Sequence, residues 1–322
     1  MNGRLLLCVL SVSLLSVLCA NPQNVNKKMN IVRCLTTHNN EVWIGTDGGV
    51  LVRDNAGAVI KTYTSKDGLA QGSILDIAFD RQGNIWFSTE GNGVCVLNGK
   101  KWKTYTGHDG LATNYIRSIA VDKKDNVWFG TESRGVSRFD GTTWTTFDST
   151  KGLADNFIWA IAVDSDGNKW FGTNRGVSRF DGATWTTYDM SKGLASNVVR
   201  AIVIDGEGTL WLGTNEGVSE FNGKRFRNFN KSHGLDLNFV STLAIDNEGT
   251  VWAGEGTAKS SGVYRFDGTR WTAYSTKEGL SSNKVTDMTV DRLGNLWLGS
   301  FKGVSRLHNA SLTGTFRLFA VE

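Results

Sequence analysis

The sequence predicts an all-β fold, a seven-bladed β-propeller of four-stranded antiparallel blades, and two observations support this prediction. A Trp-x-Gly motif, without its Gly in the copy Trp86-Phe87-Ser88, recurs at intervals of 41 to 45 residues. Its tryptophans are Trp43, Trp86, Trp128, Trp170, Trp211, Trp252 and Trp297. Each interval also contains four short segments rich in β-branched and aromatic residues. A period of this length, filled with short strands, is typical of a closed array of small sheets.

The fourth repeat shows the strand pattern most clearly. Its four strands are predicted at residues 158–164, 169–173, 176–180 and 184–188. Val, Ile, Thr and aromatic residues fill these segments, as they do in strands generally. The first segment also contains small alanines, which suit a crowded inner edge. The repeat is therefore predicted to be a twisted four-stranded meander.

Turn residues separate the strands at fixed positions in the repeat. Between strands one and two an Asp-x-x-Gly pattern begins at Asp80, Asp164, Asp205, Asp246 and Asp291, and its Gly is expected to take a positive φ. Between strands three and four stand Asn98-Gly99, Asp140-Gly141, Asp181-Gly182, Asn222-Gly223 and Asp267-Gly268. These pairs predict type I′ hairpin turns with a positive φ at both residues.

A Gly-Leu pair follows the fourth strand in six repeats. The glycines are Gly68, Gly110, Gly152, Gly193, Gly234 and Gly279. We expect the Gly to allow the chain to reverse and the Leu to pack between neighbouring blades. Because each sheet is apolar on both faces, the blades must stack around an axis. The strand-two tryptophans are accordingly predicted to be core residues rather than a sugar-stacking surface.

The repeats divide the chain into seven consecutive units. The predicted blades are residues 30–71, 72–113, 114–155, 156–196, 197–237, 238–282 and 283–322. A last strand at residues 315–319 fills the seventh unit, so the ring is expected to close by packing the seventh blade on the first. One irregularity, residues 254–262, lengthens the connection between strands two and three of the sixth unit by four residues relative to the fifth. Connections of this kind carry function more often than strands do.

The first twenty residues have the pattern of an export signal. Arg4 precedes the apolar run at residues 5–18, and a polar stretch follows Ala20. Residues 1–20 are therefore predicted to be a signal peptide and residues 21–29 a short linker. There are two alternatives for processing. The signal peptide is cleaved after Cys19 or Ala20, or Cys19 becomes the lipidated N-terminus of a bacterial lipoprotein. A lipid on Cys19 is the only attachment to a membrane that the sequence suggests.

Two cysteines, Cys34 and Cys95, lie in the predicted propeller. Cys34 falls on the first strand of one unit and Cys95 on the third strand of the next, so a bridge would join different depths of two blades. Two buried free thiols are therefore expected rather than a disulfide.

Charge and titratable residues give little support to nucleic acid binding or catalysis. The 35 basic and 31 acidic residues are scattered through every repeat, whereas nucleic acid binding requires a clustered basic face. The four histidines lie in different repeats, and neither His-x-His nor Cys-x-x-Cys occurs, so no metal or cofactor is predicted. Residues 164–168 resemble the start of a calcium loop but lack its downstream Glu, and we interpret them as a turn. No catalytic residues are predicted.

The repeat closely resembles the two-component regulator propeller repeat. The segments Trp-Phe-Gly-Thr, Gly-Val-Ser-Arg-Phe-Asp-Gly, Trp-Thr-Thr-Tyr, Gly-Leu and Ile-Ala-Val-Asp agree with it in order and spacing over residues 30–319. The resemblance implies the periplasmic sensor propeller of hybrid two-component systems that detect carbohydrates, here as a single propeller without the Ig-like domain, membrane helix or kinase of that family. It implies an exported protein of the periplasm or cell envelope, or an outer-membrane lipoprotein, and it supplies no catalytic residues.

Residues 82–87 also resemble the repeat of the seven-bladed streptogramin lyases. The resemblance implies a chemistry that relies on an acidic residue two positions before a His, together with acidic residues for magnesium. Neither Glu-x-His nor Asp-x-His occurs in the sequence. A propeller lyase or hydrolase is therefore the less favoured alternative to a binding protein.

One position of the repeat varies while its neighbours stay apolar. This variable column, three residues after the start of each unit, consists of Arg33, Leu75, Arg117, Trp159, Arg200, Ser241 and Thr286. On a propeller it lies near the entry of the innermost strand, where seven side chains converge at the mouth of the central channel. Arg33, Arg117, Trp159 and Arg200 are the predicted ligand-binding residues, because they suit an oligosaccharide or an anionic small ligand by bidentate hydrogen bonds and stacking.

Two alternatives to this site stay open. In the first alternative, the side chains of the variable column bind no ligand and only fill gaps or pair with neighbouring acids such as Asp76. The rim would otherwise bind a protein partner in an envelope signalling system, which is a common use of propellers.

Overall fold

The chain folds into seven four-stranded antiparallel sheets, the blades of a β-propeller. The computed structural model describes residues 31–237, 239–256 and 262–308, and the backbone of the strand Phe316–Phe319. In every blade the four strands are hydrogen-bonded in chain order, which makes each blade a meander. The predicted fold class is therefore confirmed. The predicted leader, the linker and Cys19 lie outside the described residues.

The first three blades contain strands β1 to β12. Blade one consists of Val32–His38, Glu41–Thr46, Gly49–Arg53 and Val59–Tyr63. Blade two consists of Ile74–Phe79, Ile85–Thr89, Val94–Asn98 and Lys101–Tyr105. Blade three consists of Ile116–Val121, Val127–Thr131, Val136–Phe139 and Trp144–Phe147.

The other four blades contain strands β13 to β28. Blade four consists of Ile158–Val163, Lys169–Thr173, Gly176–Phe180 and Trp185–Tyr188. Blade five consists of Val199–Ile204, Leu210–Thr214, Gly217–Phe221 and Phe226–Phe229. Blade six consists of Thr242–Ile245, Val251–Gly254, Val263–Phe266 and Trp271–Tyr274. Blade seven consists of Val285–Val290, Leu296–Ser300, Gly303–Leu307 and Phe316–Phe319.

Among the described residues, short 3₁₀ helices that the sequence analysis missed connect five pairs of neighbouring blades. They are Gly107–Asp109, Ser149–Lys151, Met190–Lys192, Lys231–His233 and Thr276–Glu278. Each begins after a polar N-cap and ends at the Gly of a Gly-Leu pair in the left-handed region, as at Gly110 with φ 110°. The next Leu is buried, and Leu111 is only 3% exposed. The predicted role of the Gly-Leu pairs is therefore confirmed at these connections.

The Asn that begins most units stabilises these 3₁₀ helices. The side-chain oxygen of Asn114 accepts a hydrogen bond of 2.8 Å from the backbone N–H of Gly107. Asn156, Asn197 and Asn283 accept equivalent bonds of 2.8 to 2.9 Å from the preceding connections. Because the first N–H groups of a helix lack partners within it, this Asn supplies one.

The strand-two tryptophans form the core, as predicted. All seven are at most 6% exposed. In blades two to seven the indole N–H donates to the first Asp of the turn between strands one and two, at 2.8 to 3.3 Å. That Asp therefore satisfies a buried donor in addition to shaping the turn.

The Gly of the Trp-x-Gly motif marks a close approach of the next blade. A methyl group on Gly172 would lie 2.7 Å from the carbonyl oxygen of Val199 in blade five. Contact at that distance would force the two blades apart. Ser88 replaces this Gly in blade two and is completely buried.

The predicted type I′ turns between strands three and four are not present. A positive φ is found at the Gly of each pair, at Gly99, Gly141, Gly182, Gly223 and Gly268, but not at the Asn or Asp before it. Among the described residues other than Gly, a positive φ is found at Asn39, Asn40 and Asp125 alone. In four of these five turns the preceding Asp or Asn instead caps the turn with its side chain. Asp140 Oδ1 accepts the N–H groups of Thr142 and Thr143 at 3.0 and 2.8 Å. Positive φ at two successive residues occurs at Asn39 and Asn40, between β1 and β2.

Blade seven packs directly on blade one and closes the ring. The indole of Trp297 lies in one buried cluster with Leu35 and Ile44 of blade one. The backbone N–H of Leu35 donates to Asp287 Oδ2 at 2.7 Å, and an Arg306 nitrogen donates to the Asn55 carbonyl at 2.5 Å.

Both thiols of the propeller are buried and free. Cys34 and Cys95 are at most 4% exposed and form no disulfide, as expected from their different depths. The described part of the chain contains no helix with the length and apolar character needed to cross a bilayer. Of the irregular segment 254–262, the structure describes only Gly254, Glu255, Gly256 and Gly262.

Candidate functional site

The residues of the variable column sit in β-bulges near the start of the innermost strands. In blade five Val199 pairs with Thr214 and Ala201 with Gly213, so Arg200 has no partner on the neighbouring strand. The same shift isolates Arg33, Leu75, Arg117, Trp159 and Thr286 in five other blades. A bulge turns a side chain away from the regular alternation of a strand. The fold therefore supplies one irregularly aimed side chain from each of these six blades.

All seven residues of the variable column line one cavity of about 650 Å³. We call this cavity the channel mouth. The structure thus brings together the predicted residues Arg33, Arg117, Trp159 and Arg200. Two aromatic residues that the sequence analysis did not select, Phe239 and Phe301, also line it, as do Asp76 and Asp287.

Arg33 is bound by a carboxylate of its own blade. Its Nε lies 2.6 Å from Asp47 Oδ1, and a terminal nitrogen lies 3.0 Å from Asp47 Oδ2. The hydrogen bond to Asp47 raises the pKa of Arg33 above its usual value, although partial burial opposes this. This bidentate pair neutralises the charge of Arg33 within the channel mouth.

Arg117 is paired in a similar way. A terminal nitrogen lies 2.8 Å from Glu132 Oε1. The guanidinium also lies 5.2 Å from the ring centre of Phe157 and 4.6 Å from that of Trp159. The carboxylate and the two rings together fix its position.

Trp159 occupies the centre of an alternating stack of rings and guanidinium groups. Its indole N–H donates to Asn174 Oδ1 at 2.8 Å. The guanidinium groups of Arg117 and Arg200 lie 4.6 and 4.0 Å from its ring centre. They come from the two flanking blades, so the ring already has cationic neighbours and is not an open surface for sugar stacking.

Arg200 differs from the other two arginines because no carboxylate pairs with it among the described residues. Its Nε donates to Asn215 Oδ1 at 2.7 Å. Its guanidinium lies 4.0 Å from the ring centres of both Trp159 and Phe239. Burial, and then the charge of Arg117, lower the pKa of Arg200 to about 10. Arg200 is therefore a partly buried cation held by rings and an amide.

The partners of the variable column form a second repeated position, which the sequence analysis missed. Asp47, Glu132, Asn174 and Asn215 each directly follow the last Thr of strand two. They bind Arg33, Arg117, Trp159 and Arg200 of the same blade. The fixed repeat position was a signal available in the sequence, but only the bulge register shows that the two positions meet.

Asp76, the acid named as a partner in the alternative interpretation, binds no arginine in the structure. Asp76 Oδ1 accepts the N–H of Ile77 at 2.8 Å, and Oδ2 accepts the N–H of Ile119 in blade three at 2.6 Å. Asp287 makes the equivalent link from blade seven to Leu35. Two arginines that line the channel mouth are therefore paired with acids, Arg33 with Asp47 and Arg117 with Glu132, and neither pairs with Asp76.

Both linking carboxyl groups have raised pKa values. Burial raises the pKa of Asp76 to about 7, against two backbone hydrogen bonds that lower it, and the charge of Asp287 raises it further. Burial likewise raises the pKa of Asp287 to about 6, against its hydrogen bonds to Leu35, Met288 and Thr242. Each group carries less negative charge near neutral pH than an exposed Asp does.

We expect these raised values to make stability fall as the pH rises from about 4 to 7. In that window the folded Asp76 keeps a proton that the unfolded side chain, with its ordinary value of 3.8, has released. The unfolded state then binds fewer protons, so the free energy of unfolding decreases with pH. Urea unfolding at pH 4.5 and 7.5 tests this in Asp76→Asn, which should lose less stability over that interval than the parent. Equal losses in the two proteins would contradict the raised pKa of Asp76.

The residues considered for catalysis or metal binding do not gather at the channel mouth. No histidine is among the described residues that line it. Across the described ranges, no group of three or more His, Cys, Asp or Glu side chains is placed to hold a metal ion. In the turn that resembles a calcium loop, Asp164 Oδ2 accepts bonds from Asn168 and Trp170 at 2.8 and 2.9 Å.

The repeat matches a known family model in five places. The model of the two-component regulator propeller matches residues 68–91, 110–133, 152–175, 193–216 and 279–302. This chain carries two-component regulator propeller repeats. Each match runs from a Gly-Leu pair to the start of the connection between strands two and three of the next blade. A single matched repeat therefore contains both a residue of the variable column and its hydrogen-bond or ion-pair partner, such as Arg117 and Glu132.

Solved structures share the propeller fold of this chain. The extracellular domain of the hybrid two-component system BT3049 from B. thetaiotaomicron superposes with a TM-score of 0.76 at 24% identity, covering 88% of this chain and 39% of that one. The corresponding domain of BT4673 from the same organism gives 0.71 at 21% identity, covering 88% and 39%. The chain thus spans about two fifths of these extracellular domains. No curated protein matches the sequence.

A lyase also shares the fold. Virginiamycin B lyase from Staphylococcus aureus superposes with a TM-score of 0.71 at 13% identity, covering 91% of this chain and 96% of the lyase. At that identity the likeness concerns the architecture alone.

Proposed function

We propose that this chain is a non-enzymatic recognition propeller of the sensor type, which binds a carbohydrate or an anionic small ligand at the channel mouth. The observation that carries the proposal is the cluster of Arg33, Arg117, Trp159 and Arg200 around one cavity of about 650 Å³. That volume suits a small ligand. The repeat, and the naming of BT3049 and BT4673 as extracellular domains of hybrid two-component systems, support a sensor role in an exported protein.

The polar groups of the channel mouth suit a ligand with many hydroxyl groups. The arginines that line it are planar donors, whereas their hydrogen-bond partners Asp47, Glu132 and Asn215 do not line the cavity. Planar groups form bidentate hydrogen bonds with well-defined directions. Because two arginines are already paired with carboxylates, the wall is less basic than the arginine count predicts. This favours a sugar with few charges over a polyanion.

A thermal-shift screen of the protein against neutral and acidic oligosaccharides tests the proposal. A ligand at about 100 times its dissociation constant stabilises the folded state by about 2.7 kcal/mol. The double variant Arg117→Ala with Arg200→Ala should lose this stabilisation. The matched control is Arg175→Ala with Arg270→Ala, whose side chains are 78% and 81% exposed. The control should keep the stabilisation.

Two results would overturn the proposal. The absence of a shift with any ligand would redirect the function to a protein-binding scaffold. A shift that persists unchanged in the double variant would place the ligand away from the channel mouth.

A further inference from the structure

We infer that the ligand of the channel mouth carries a single oxyanion group, a carboxylate or a sulfate, and that Arg200 binds it. The inference rests on the proposed function, because it concerns the same cavity. It goes beyond that function by assigning one chemical group of the ligand to one residue. Three features of the described residues support it: the pairing of the other arginines, the hydrogen bonds of Arg200, and the carboxyl groups elsewhere in the wall.

The first feature is that Arg200 is the arginine of the cavity wall with an uncompensated charge. Arg33 is held by Asp47 through two hydrogen bonds, and Arg117 lies 2.8 Å from Glu132. An anion that approached either guanidinium would also meet its carboxylate. Arg200 has only the neutral Asn215 as a hydrogen-bond partner within the described ranges. An anionic group therefore gains most at Arg200.

The second feature is the orientation of the Arg200 guanidinium. Asn215 accepts a hydrogen bond from Nε of Arg200, so the two terminal nitrogens of Arg200 have no partner among the described residues. Rings of Trp159 and Phe239, each with its centre 4.0 Å away, hold the group in place. A fixed planar guanidinium loses little conformational entropy when it binds a planar or tetrahedral oxyanion. The nearby charge of Arg117 disfavours an unbound cation here, and an anion would relieve that repulsion.

The third feature limits the number of anionic groups to one. Asp76 and Asp287 line other parts of the same cavity, next to Cys34 of blade one. Asp47 and Glu132 stand beside the two paired arginines. A second oxyanion on a short ligand would face one of these carboxyl groups. Lys284 lies near the ring of Phe301 at the rim but is not among the residues that line the cavity.

The test compares acidic ligands with their neutralised counterparts by calorimetry. The probes are short oligosaccharides that carry a single anionic group, either one uronic acid carboxylate or one sulfate ester. Each is compared with its carboxyl-reduced or desulfated form, and neutral cello-oligosaccharides complete the set. Binding of an acidic probe, with a loss of about 10- to 100-fold on removal of one kind of oxyanion, is the expected result. The form that causes the loss distinguishes carboxylate from sulfate.

Variants of Arg200 connect the effect to this residue. Arg200→Gln should reduce the affinity for the acidic probe by about 10- to 100-fold and leave the affinity for the neutralised probe within about 3-fold of the parent. Arg200→Lys keeps a charge without the planar group, so its affinity for the acidic probe should lie between those of the parent and Arg200→Gln. The control Arg175→Gln removes the same charge outside the cavity and should leave the affinity for the acidic probe within about 3-fold. Thermal melting of each variant without ligand establishes that it is folded.

The possible failures are distinguishable. If only neutral oligosaccharides bind, the proposed function stands and the inference about the oxyanion is overturned. If an acidic probe binds equally well to the parent and to Arg200→Gln, Arg200 is not the anion site. If no probe binds, both the inference and the carbohydrate part of the proposed function are overturned.

Discussion

Replacing Trp297 with alanine is expected to reduce the free energy of unfolding by about 3–5 kcal/mol. The indole is completely buried and packs against Leu35 and Ile44 of blade one, so the change leaves a cavity where the ring closes. It also removes the donor to Asp291 Oδ2, which lies 2.8 Å away. Urea unfolding followed by far-ultraviolet circular dichroism measures the change from the midpoint and slope.

The control for Trp297→Ala is Tyr115→Ala, which removes an aromatic ring that is 50% exposed. Its effect should be clearly smaller than that of Trp297→Ala, because half of Tyr115 is already in contact with solvent. A loss below about 1 kcal/mol for Trp297→Ala itself would show that the contact between blades seven and one contributes little to the stability of the ring.

Gly135→Ala is expected to cost about 2–5 kcal/mol of unfolding free energy. Gly135 has φ 75°, a backbone conformation that costs about 1–2 kcal/mol for a residue with a side chain. The added methyl group would also overlap the backbone carbonyl oxygen of Phe147, and such overpacking adds about 1–3 kcal/mol. Thermal and urea unfolding of the purified variant measure the sum.

Gly141→Ala in the same blade separates these two contributions. Gly141 has φ 97°, but a methyl group there would meet no atom within 4 Å. Only the conformational cost of about 1–2 kcal/mol applies. Equal losses for Gly135→Ala and Gly141→Ala would show that the contact with the Phe147 carbonyl is relieved by movement of the backbone.

The fold was predictable because its determinants are local and recur in at least five of the seven blades. Each Trp-x-Gly, Asp-x-x-Gly and Gly-Leu motif describes a turn or a core position within a few residues, and repetition distinguishes the motif from chance. The position of the variable column was predictable for the same reason. Its convergence on one cavity follows once the blades are arranged around an axis.

The details that were not predicted depend on side-chain capping and strand register. The type I′ prediction was wrong because none of these Asp and Asn residues has a positive φ, and the side chains of Asp140, Asp181, Asn222 and Asp267 bond to backbone N–H groups of the turn instead. The 3₁₀ helices were missed although Thr106 and Asp109 form a capping box in the sequence Thr-Gly-His-Asp. Pairing of Arg33 with Asp47 could not be predicted because it depends on the bulge that brings residues 14 apart together.

Trp159 offers the most direct test of the claim that the channel mouth binds the ligand. The protein contains 12 tryptophans, and 5-fluorotryptophan labelling gives each of them a fluorine nuclear magnetic resonance signal, with Trp159→Phe identifying the signal of Trp159. On addition of the ligand found in the thermal-shift screen, the signal of Trp159 should shift, while those of the strand-two core tryptophans stay in place. A ligand that stabilises the protein but leaves the signal of Trp159 unchanged, while shifting that of another tryptophan, would contradict the assignment of the binding site.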